Sequence, residues 1–222
     1  MERIRTGALK PGDMIETELE LEEKFHASRP TVRQALNKLT TMGYLVRIKG
    51  KGSFVTRPKL LHRSSSVIES YRSEVGDRRL LTQVDRLQVI RAEDGVAHAL
   101  GIQRHAPVVE LARTRRIENE KAVVNTIVYV PRSRFPGMEK LDFENASFYD
   151  ALDDRELRVT HAVRTIEIVL PSAEVAEKLE ISPFEPVFYV ESTGYMANDL
   201  PIEYSKSYYP GSNSKFMVDI HR

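Results

Sequence analysis

Cysteine is absent from the 222-residue sequence, and no apolar run approaches the length that a membrane span requires. A helical span needs about 20 consecutive apolar residues, and a chain without cysteine has neither disulfide bonds nor thiolate metal ligands. The first residues, MERIRTGALKPGDMIE, are charged and lack the apolar segment of a secretory signal. We therefore expect a globular protein that resides in the cytoplasm and has no membrane segment.

Catalytic and cofactor motifs are also missing. The six histidines are scattered, at positions 26, 62, 98, 105, 161 and 221, and none belongs to an HExxH motif. The sequence contains no nucleophile elbow, no GxGxxG and no phosphate-binding P-loop. We expect no catalytic residues, no metal site and no cofactor.

Acidic residues are missing from one segment that is rich in cations. Residues 24–59 contain nine Lys/Arg and no Asp/Glu. Residues 1–60 carry a net charge of +5 and residues 61–222 carry −4, so the overall charge of +1 hides a strong asymmetry. A solvated basic face normally interleaves glutamates, and their absence predicts a polyanionic partner for this segment alone.

A first helix is predicted just before the basic segment. Thr17 followed three residues later by Glu20 is a capping-box signature, which predicts a helix from about residue 17 to Phe25. Leu19, Leu21 and Phe25 are expected to form its apolar face. A short turn then separates it from a second helix.

The second helix is predicted to begin after Ser28 and to end at Gly43. Serine is a good N-cap, and Pro30 is tolerated in a first turn because the backbone N–H groups there lack partners. Helical spacing predicts that four side chains face the core: Val32, Ala35, Leu36 and Leu39. Three others project from the opposite side near the positive helix end: Arg29, Thr31 and Arg33.

A basic hairpin follows this helix. Residues 44–48 and 53–55 have strand-forming side chains and flank the turn Lys49-Gly50-Lys51-Gly52. Helix, tight turn, helix and a glycine-tipped hairpin is the layout of a winged helix-turn-helix, whose second helix fits the major groove of DNA. Arginine offers forked donors to guanine or phosphate, and glycine lets the wing approach the duplex closely.

The stretches KPGDMI, ELEEKF, SRPTVRQALNKL and MGYLVRIKGKGSFV resemble, in this order, the DNA-binding domain of the GntR family of bacterial transcription regulators. The resemblance covers nearly all of residues 8–55. It implies operator contacts from the start of the second helix and from the wing, through Arg29, Pro30, Thr31, Arg33, Lys49, Lys51 and Gly52. Against the family pattern, we expect most of the helix before Gly7 to be missing from this chain.

Residues 1–58 are predicted to form the DNA-binding domain. The polar residues 59–80 are predicted to form a linker with a short helix around residues 67–75.

An internal repeat occupies the rest of the sequence. The stretches VIRAEDGVAHALGIQRHAPVVEL (89–111) and IVLPSAEVAEKLEISPFEPVFYV (168–190) align without a gap at a spacing of 79. Identical residues recur at this spacing, among them Val96 and Val175, Ala97 and Ala176, Leu100 and Leu179, Ile102 and Ile181, and Pro107 and Pro186. Each half is predicted to form a strand, a short helix and a hairpin. Together the halves predict an antiparallel sheet with helices on one face, spanning residues 81–222.

Polar side chains mark candidate binding faces in this second domain. Arg113 and Arg115 lie two apart and share one face of a strand. Ser147 is the predicted N-cap of a helix over residues 148–152, whose start favours an anion. Four polar residues share a face of the last hairpin: Glu203, Ser205, Ser207 and Tyr209. These side chains either point to solvent or form a pocket for a small polar anion.

Residues 81–222 resemble the UTRA effector-binding domain of the HutC subfamily, which has a chorismate-lyase-like fold. The matching stretches are ELARTRRIENEKAVVNTIVYVP, ASFYDAL and PIEYSKSYYPGSNSKFMV. The resemblance implies effector contacts from Arg113, Arg115, Ser147, Tyr149, Glu203 and Tyr209. In relatives that sense phosphorylated sugars, the arginine and serine positions hold the phosphate and the glutamate engages sugar hydroxyls. A sugar phosphate, or another small anion, is therefore the expected effector.

The sequence as a whole predicts an α+β protein that regulates transcription in response to a ligand. We expect a repressor that binds a pseudo-palindromic double-stranded DNA operator as a homodimer, because a single head contacts too few base pairs for useful specificity. Two alternatives stay open. A lyase-like fold allows an enzyme, since fold does not fix chemistry, and an incomplete DNA head leaves a module that only binds effector and dimerises.

Overall fold

The computed structural model describes residues 1–56, 59–63 and 78–218. The chain divides into two compact units, Met1–Lys59 and Leu60–Arg222. The short helix expected around residues 67–75 lies outside the described residues. The first unit contains α1 (Glu2–Arg5), α2 (Glu18–Phe25), α3 (Arg29–Thr41), β1 (Leu45–Ile48) and β2 (Gly52–Val55).

In the first unit, both helices begin where the sequence indicates. The Thr17 side chain accepts a hydrogen bond from the Glu20 backbone, and the Glu20 carboxylate accepts one from the Thr17 backbone at 2.7 Å, so the capping box is complete. Ser28 is the N-cap of α3, with its hydroxyl 2.8 Å from that of Thr31. Gly43 follows the helix with a φ of +78°, a conformation that glycine adopts without strain.

The core of this unit is narrower than the sequence predicts. Its buried side chains are Ile15, Leu21, Val32, Leu36, Leu45 and Val55. The prediction that Leu19 and Phe25 are core residues is wrong, since they are 66% and 63% exposed. Leu19 is rotated about 200° from the buried Leu21, and Phe25 is the last residue of its helix. Ala35 is also exposed, because the buried side of α3 consists only of Val32 and Leu36.

The hairpin forms the expected wing. Strands β1 and β2 are antiparallel, with Leu45 opposite Val55 and Ile48 opposite Gly52. Gly52 has a φ of +117°, and a Cβ there would lie 3.2 Å from the Met14 sulfur, so both conformation and space favour glycine. The tip residues Lys49 and Lys51 are exposed.

The second unit is built from strands and three short α-helices in its described part. The strands are β3 (Leu60–Arg63), β4 (Leu80–Arg91), β5 (Pro107–Ile117), β6 (Ala122–Pro131), β7 (His161–Val169), β8 (Val187–Tyr195), β9 (Pro201–Pro210) and β10 (Ser214–Met217). The helices are α4 (Asp94–Ala99), α5 (Phe148–Asp153) and α6 (Ala173–Leu179), with a 3₁₀ turn at Met138–Lys140.

Six strands form one antiparallel sheet in the order β4-β5-β6-β9-β8-β7. The two repeat halves therefore meet at β6 and β9, and the elements of each half follow the predicted order. Ile127 pairs with Lys206 at this junction. These residues lie 79 apart and occupy the same position in the two halves, so a pseudo-two-fold axis passes through the pair.

A parallel pair of strands, β3 with β10, stands apart from the large sheet. Leu60–Arg63 was expected to be linker, but its backbone pairs with Ser214–Met217 at the far end of the chain. The Leu60 backbone N–H also donates to the Asn213 carbonyl at 2.6 Å. Short strands whose partners are this distant in sequence carry little local signal. The connection between the wing and the second unit is thus only residues 56–59.

The helices cover both faces of the sheet, so the expectation of a single covered face is wrong. Val96 and Leu100 of α4 pack with Val108 and Tyr129. Buried residues of α5 pack instead on the other face of the sheet, against side chains that alternate with those on the same strands. These include Val109, Leu111, Val128 and Val130. The segment that joins the two repeat halves therefore covers the face that α4 leaves open.

Asp85 on β4 links the two halves of the repeat. Its carboxylate accepts hydrogen bonds from Lys178 Nζ at 2.7 Å and from Thr114 Oγ1 at 2.6 Å, and Asn125 Nδ2 donates to the same threonine at 2.9 Å. Lys178 lies on α6 in the second half, whereas the other partners lie in the first. The Asp85 side chain is 2% exposed, so its partners compensate its burial.

We expect Asp85→Ala to lower the free energy of unfolding by about 2 kcal/mol. Charged hydrogen bonds contribute about 1.5–3 kcal/mol each, and the Lys178 side chain, which is 33% exposed, can turn to water when its partner is lost. Urea denaturation followed by circular dichroism measures the change.

The control is Asp94→Ala, because Asp94 pairs with Arg104 at the surface, where both side chains are more than half exposed. This variant should cost less than about 1 kcal/mol. Equal small costs for the two variants would show that the Asp85 network does not stabilise the junction.

Candidate functional site

A cavity of about 740 Å³ lies in the second unit, on the sheet face that α5 covers. Its lining comes from both repeat halves and from residues 141–155. The volume is in the range of pockets that bind small molecules. All six residues that the sequence predicts to contact an effector line it: Arg113, Arg115, Ser147, Tyr149, Glu203 and Tyr209.

Hydroxyl groups form the centre of the cavity floor. Thr126 and Ser207 are cross-strand partners on β6 and β9, with their hydroxyl oxygens 3.1 Å apart. Ser192 and Ser205 are cross-strand partners on β8 and β9. All four are buried. Because a hydroxyl both donates and accepts, this floor can pair with ligand hydroxyls in either sense.

Arg113 supplies a buried positive charge beside this floor. It is the cross-strand neighbour of Thr126 and is 3% exposed. Its guanidinium lies 5.8 and 5.7 Å from the ring centres of Phe143 and Phe148, and its Nε has no hydrogen-bond partner among the described residues. Burial, and then the charge of Arg115, lowers the pKa of Arg113 well below its ordinary value. A buried cation with an open donor favours an anion.

Ser147 lies on the wall opposite the floor, at the start of α5. Its hydroxyl accepts a hydrogen bond from the Asp150 backbone at 3.3 Å, so it caps the helix as the sequence indicates. Phe148 and Leu152 of the same helix are buried in the core. The cap and these two side chains fix the helix start at the edge of the cavity.

Glu203 is a buried carboxyl in the same cavity, on β9. The Tyr149 hydroxyl donates to its Oε1 at 2.8 Å. Burial raises the pKa of Glu203 to about 7, while the hydrogen bond from Tyr149 and the charges of Arg164 and Arg113 act in the opposite direction. Burial, and then the nearby Glu203, raises the pKa of Tyr149 well above its ordinary value. Near neutral pH the carboxyl is therefore divided between an ionised form, which only accepts hydrogen bonds, and a protonated form that also donates.

Gly194 makes the space that Glu203 occupies. A Cβ at Gly194 would lie 2.7 Å from the Glu203 Cγ and 2.8 Å from its Oε1. Gly194 is the repeat counterpart of Arg115, 79 residues earlier. One half of the repeat thus contributes an arginine to the cavity at this position, and the other half contributes room for a carboxyl.

The sequence did not predict several of the lining residues, among them Arg164 and His62. Arg164, on β7, donates to the Ser192 hydroxyl at 3.4 Å, and strand alternation alone places it on the cavity face. His62 carried no such signal, because its strand lies in the expected linker. It is 3% exposed, and its ring centre lies 4.5 Å from that of Tyr209 and 4.8 Å from that of Phe216. The first strand after the DNA-binding unit therefore forms part of the cavity wall.

The first unit presents its predicted DNA contacts on two exposed surfaces. Arg29, Pro30, Thr31 and Arg33 are exposed at the start of α3, and Lys49, Lys51 and Gly52 are exposed at the wing tip. The helix start is therefore open to a partner. Gly50 at the tip has a φ of +75°, so the turn also depends on glycine.

The arginines at this surface have carboxylate neighbours that come from outside the acid-free segment 24–59. Glu18 lies 3.3 Å from Arg33, 3.5 Å from Arg47 and 3.9 Å from Arg29. Glu22 also lies 3.9 Å from Arg29. Arg47 on β1 therefore shares the carboxylate of Glu18 with the arginines of α3. Both acids come from α2, which packs against α3 although it precedes the acid-free segment.

Among the helices in the described part of the chain, none combines the length and the apolar composition of a membrane span. The same part of the chain contains no cluster of three or more acidic or histidine side chains that could bind a metal ion.

Two family models match the chain. A model described as bacterial regulatory proteins, gntR family, matches residues 1–55, and the UTRA domain model matches residues 77–215. The matches coincide with the winged helix-turn-helix and with most of the sheet domain. The enzyme alternative is therefore not supported, because the matched family is one of transcription regulators.

Individual proteins give the same answer. The chain is 31% identical to YurK, an uncharacterised HTH-type transcriptional regulator of Bacillus subtilis, over 90% of this chain and 83% of YurK. It is 28% identical to MngR, the mannosyl-D-glycerate transport/metabolism system repressor of Escherichia coli, over 100% and 92% of the two chains. The crystal structure of PhnF from Mycobacterium smegmatis superposes with a TM-score of 0.84 at 28% identity, over 96% and 94%. The fold prediction is thus confirmed, and the chain belongs to the gntR family of bacterial regulatory proteins, with a UTRA domain following its DNA-binding head.

Proposed function

We propose that this protein is a repressor that a phosphorylated sugar releases from its operator. The observation that carries the proposal is the buried Arg113, whose Nε has no partner among the described residues and which lies beside a floor of hydroxyls. A ligand that has an anion at one end and hydroxyls along its length complements this arrangement. The names of relatives support it, since MngR is named for mannosyl-D-glycerate metabolism and another repressor for fructoselysine utilisation.

The phosphate of such a ligand would bind at Arg113 and Arg115. These residues are two apart on β5 and both line the cavity. A dianion would offset both the burial and the repulsion from Arg115 that lower the pKa of Arg113, and its oxygens would accept a hydrogen bond from the open Nε–H. Ser147 lies at the wall nearby and adds a hydroxyl to this end of the site.

The sugar would lie along the floor and end at Glu203. The carboxyl and the Tyr149 hydroxyl already share a hydrogen bond, so both are held in place before a ligand arrives. Tyr209 and the buried serines complete the wall and floor. A site built to pair with hydroxyls discriminates against analogues that lack them, because its own buried groups are then left without partners.

The operator would be read by α3 and the wing of two heads. Arg29, Thr31 and Arg33, with Pro30 between them, would enter the major groove, while Lys49, Lys51 and Gly52 would follow the backbone. We propose a homodimer on a pseudo-palindromic duplex, acting in the cytoplasm where its target lies. Effector binding would favour a dimer geometry in which the heads no longer fit both half-sites.

A second reading is a module that binds effector without binding DNA. The observation behind it is that α1 contains only four residues. Operator binding by this chain and by an N-terminally extended version would separate the two readings. Equal, salt-sensitive binding by both supports the repressor, and binding by the longer version alone supports the module.

Arg113→Ala should abolish the largest ligand-induced rise in melting temperature. The test is a thermal-shift screen with phosphorylated sugars, phosphorylated amino sugars and small carboxylates, since any ligand that binds only the folded state raises Tm. The wild type should respond most strongly to a phosphorylated sugar.

The matched control is Arg116→Ala. Arg116 lies on the same strand but pairs with Glu180 outside the cavity. It should retain the full shift. A full shift in Arg113→Ala would contradict the phosphate site, whatever ligand produced it.

Glu203→Gln should remove a pH dependence of folding stability. The folded protein holds the Glu203 proton up to about pH 7, whereas the ordinary pKa is 4.5, so this contribution is fully present below pH 4.5 and is lost as the pH rises through 7. At about 1.4 kcal/mol per pH unit, wild type should lose about 3 kcal/mol relative to the variant between pH 4.5 and 8.

Urea denaturation at a series of pH values measures this difference. Glu177→Gln, on the exposed face of α6, serves as the control and should follow the wild type. A Glu203→Gln curve parallel to that of wild type would show that the carboxyl is ionised throughout this range.

A further inference from the structure

The N-terminal residue of α2 occupies an unusual position among the cations of the DNA-binding head. Glu18 contacts Arg29 and Arg33 on α3 and Arg47 on β1, so a single carboxylate joins the reading helix to the wing. Its side chain is 26% exposed, whereas the three arginine side chains are 40 to 68% exposed. The carboxylate lies beneath the cations, and the cations face solvent.

Stability does not explain this arrangement. Exposed ion pairs contribute little to folding, because water and salt screen them and because long side chains lose freedom when they pair. Three arginines share one carboxylate, so the cluster keeps a net positive charge even when the more distant Glu22 is counted. The contacts nevertheless fix where the guanidinium groups lie.

The geometry at Arg33 leaves its outer donors available. Glu18 faces the Nε and one terminal nitrogen, at 3.3–3.4 Å. A guanidinium has five N–H donors in a rigid fork, and an acceptor on this edge leaves the N–H groups of the outer edge for another partner. That outer edge has the geometry that a guanine O6 and N7 require.

We propose that Glu18 is a specificity-determining residue of the DNA-binding head, which holds Arg33 in place for base contact and opposes the use of the neighbouring arginines as general phosphate anchors. The inference rests on the proposed role of α3 in reading DNA. Pre-orientation lowers the entropy that ordering an arginine on a base would cost. The negative charge repels phosphates within about 10 Å, so a contact that gains only phosphate attraction is weakened most.

Loss of the Glu18 carboxylate should affect binding to matched and to unmatched DNA differently. On a matched duplex, loss of the carboxylate frees the arginines and removes a repulsion, and these two effects oppose each other. On an unmatched duplex only the repulsion is lost. Glu18→Gln should therefore bind unmatched DNA more tightly, and the ratio of matched to unmatched affinity should fall.

The experiment uses the full chain and two duplexes. The first is selected from a random-sequence pool by the wild-type protein, and the second has the same composition with its half-sites scrambled. Titrations between 50 and 200 mM salt give both affinities and their salt slopes. We expect Glu18→Gln to gain about fivefold on the scrambled duplex, and the affinity ratio to fall at least fivefold.

Glu23→Gln is the matched control. It removes the same charge from the same helix, its side chain is exposed, and within the described head it forms no ion pair with the three arginines. It should leave the affinity ratio unchanged. In an Arg33→Ala background, Glu18→Gln should lose most of its effect on the ratio, because the residue that it positions is gone.

Three results separate the possible failures. An unchanged ratio in Glu18→Gln overturns the inference. An equal loss on both duplexes with a lower Tm assigns Glu18 a structural role and overturns it as well. If Arg33→Ala leaves binding of the selected duplex unchanged, the proposed reading role of α3 fails first, whatever Glu18→Gln shows.

Discussion

The burial of one guanidinium beside a floor of hydroxyls is the constraint on which the second unit depends. Arg113 is 3% exposed, and within the described residues its Nε has no partner. A buried charge is costly unless a counter-charge or hydrogen bonds compensate it. The rings of Phe143 and Phe148 and the charge of Glu203 act against this cost. The Nε–H of Arg113 is therefore available to an acceptor, which the proposed anionic ligand would supply.

The repeat explains how one sheet face supplies such different groups. A pseudo-two-fold axis at Ile127 and Lys206 brings equivalent strands to the centre of the sheet. Sequence differences between the two halves then break the symmetry. Arg115 in the first half corresponds to Gly194 in the second, and Glu203 in the second half corresponds to the apolar Val124 in the first. The cavity gains a cationic side and a carboxyl side without any change of fold.

Local signals in the sequence predicted more than did distant ones. The capping box at Thr17, the cap at Ser147 and the repeat spacing of 79 depend on neighbouring residues or on strict periodicity, and the structure confirms all three. The positions of His62 in the cavity wall and of Glu18 among the arginines depend on contacts between segments that are remote in sequence. Local sequence patterns do not reveal such contacts. Leu19 and Phe25 were misplaced because apolar character alone does not say how wide a stripe a small core can bury.

The two units also share a short connection that gives the regulatory proposal its physical route. Only residues 56–59 separate the wing from β3, and β3 carries His62 into the cavity wall against Tyr209. A ligand that rearranged this wall would act on a strand that four residues of chain connect to the wing. Coupling of this kind must be reciprocal, since each ligand changes the affinity for the other by the same factor.

Calorimetric titration of a phosphorylated sugar into the protein, with and without the selected DNA duplex, tests the central claim most directly. The account predicts that the duplex weakens sugar phosphate binding by the factor by which the sugar phosphate weakens duplex binding. Identical sugar phosphate affinities in the two titrations would contradict it.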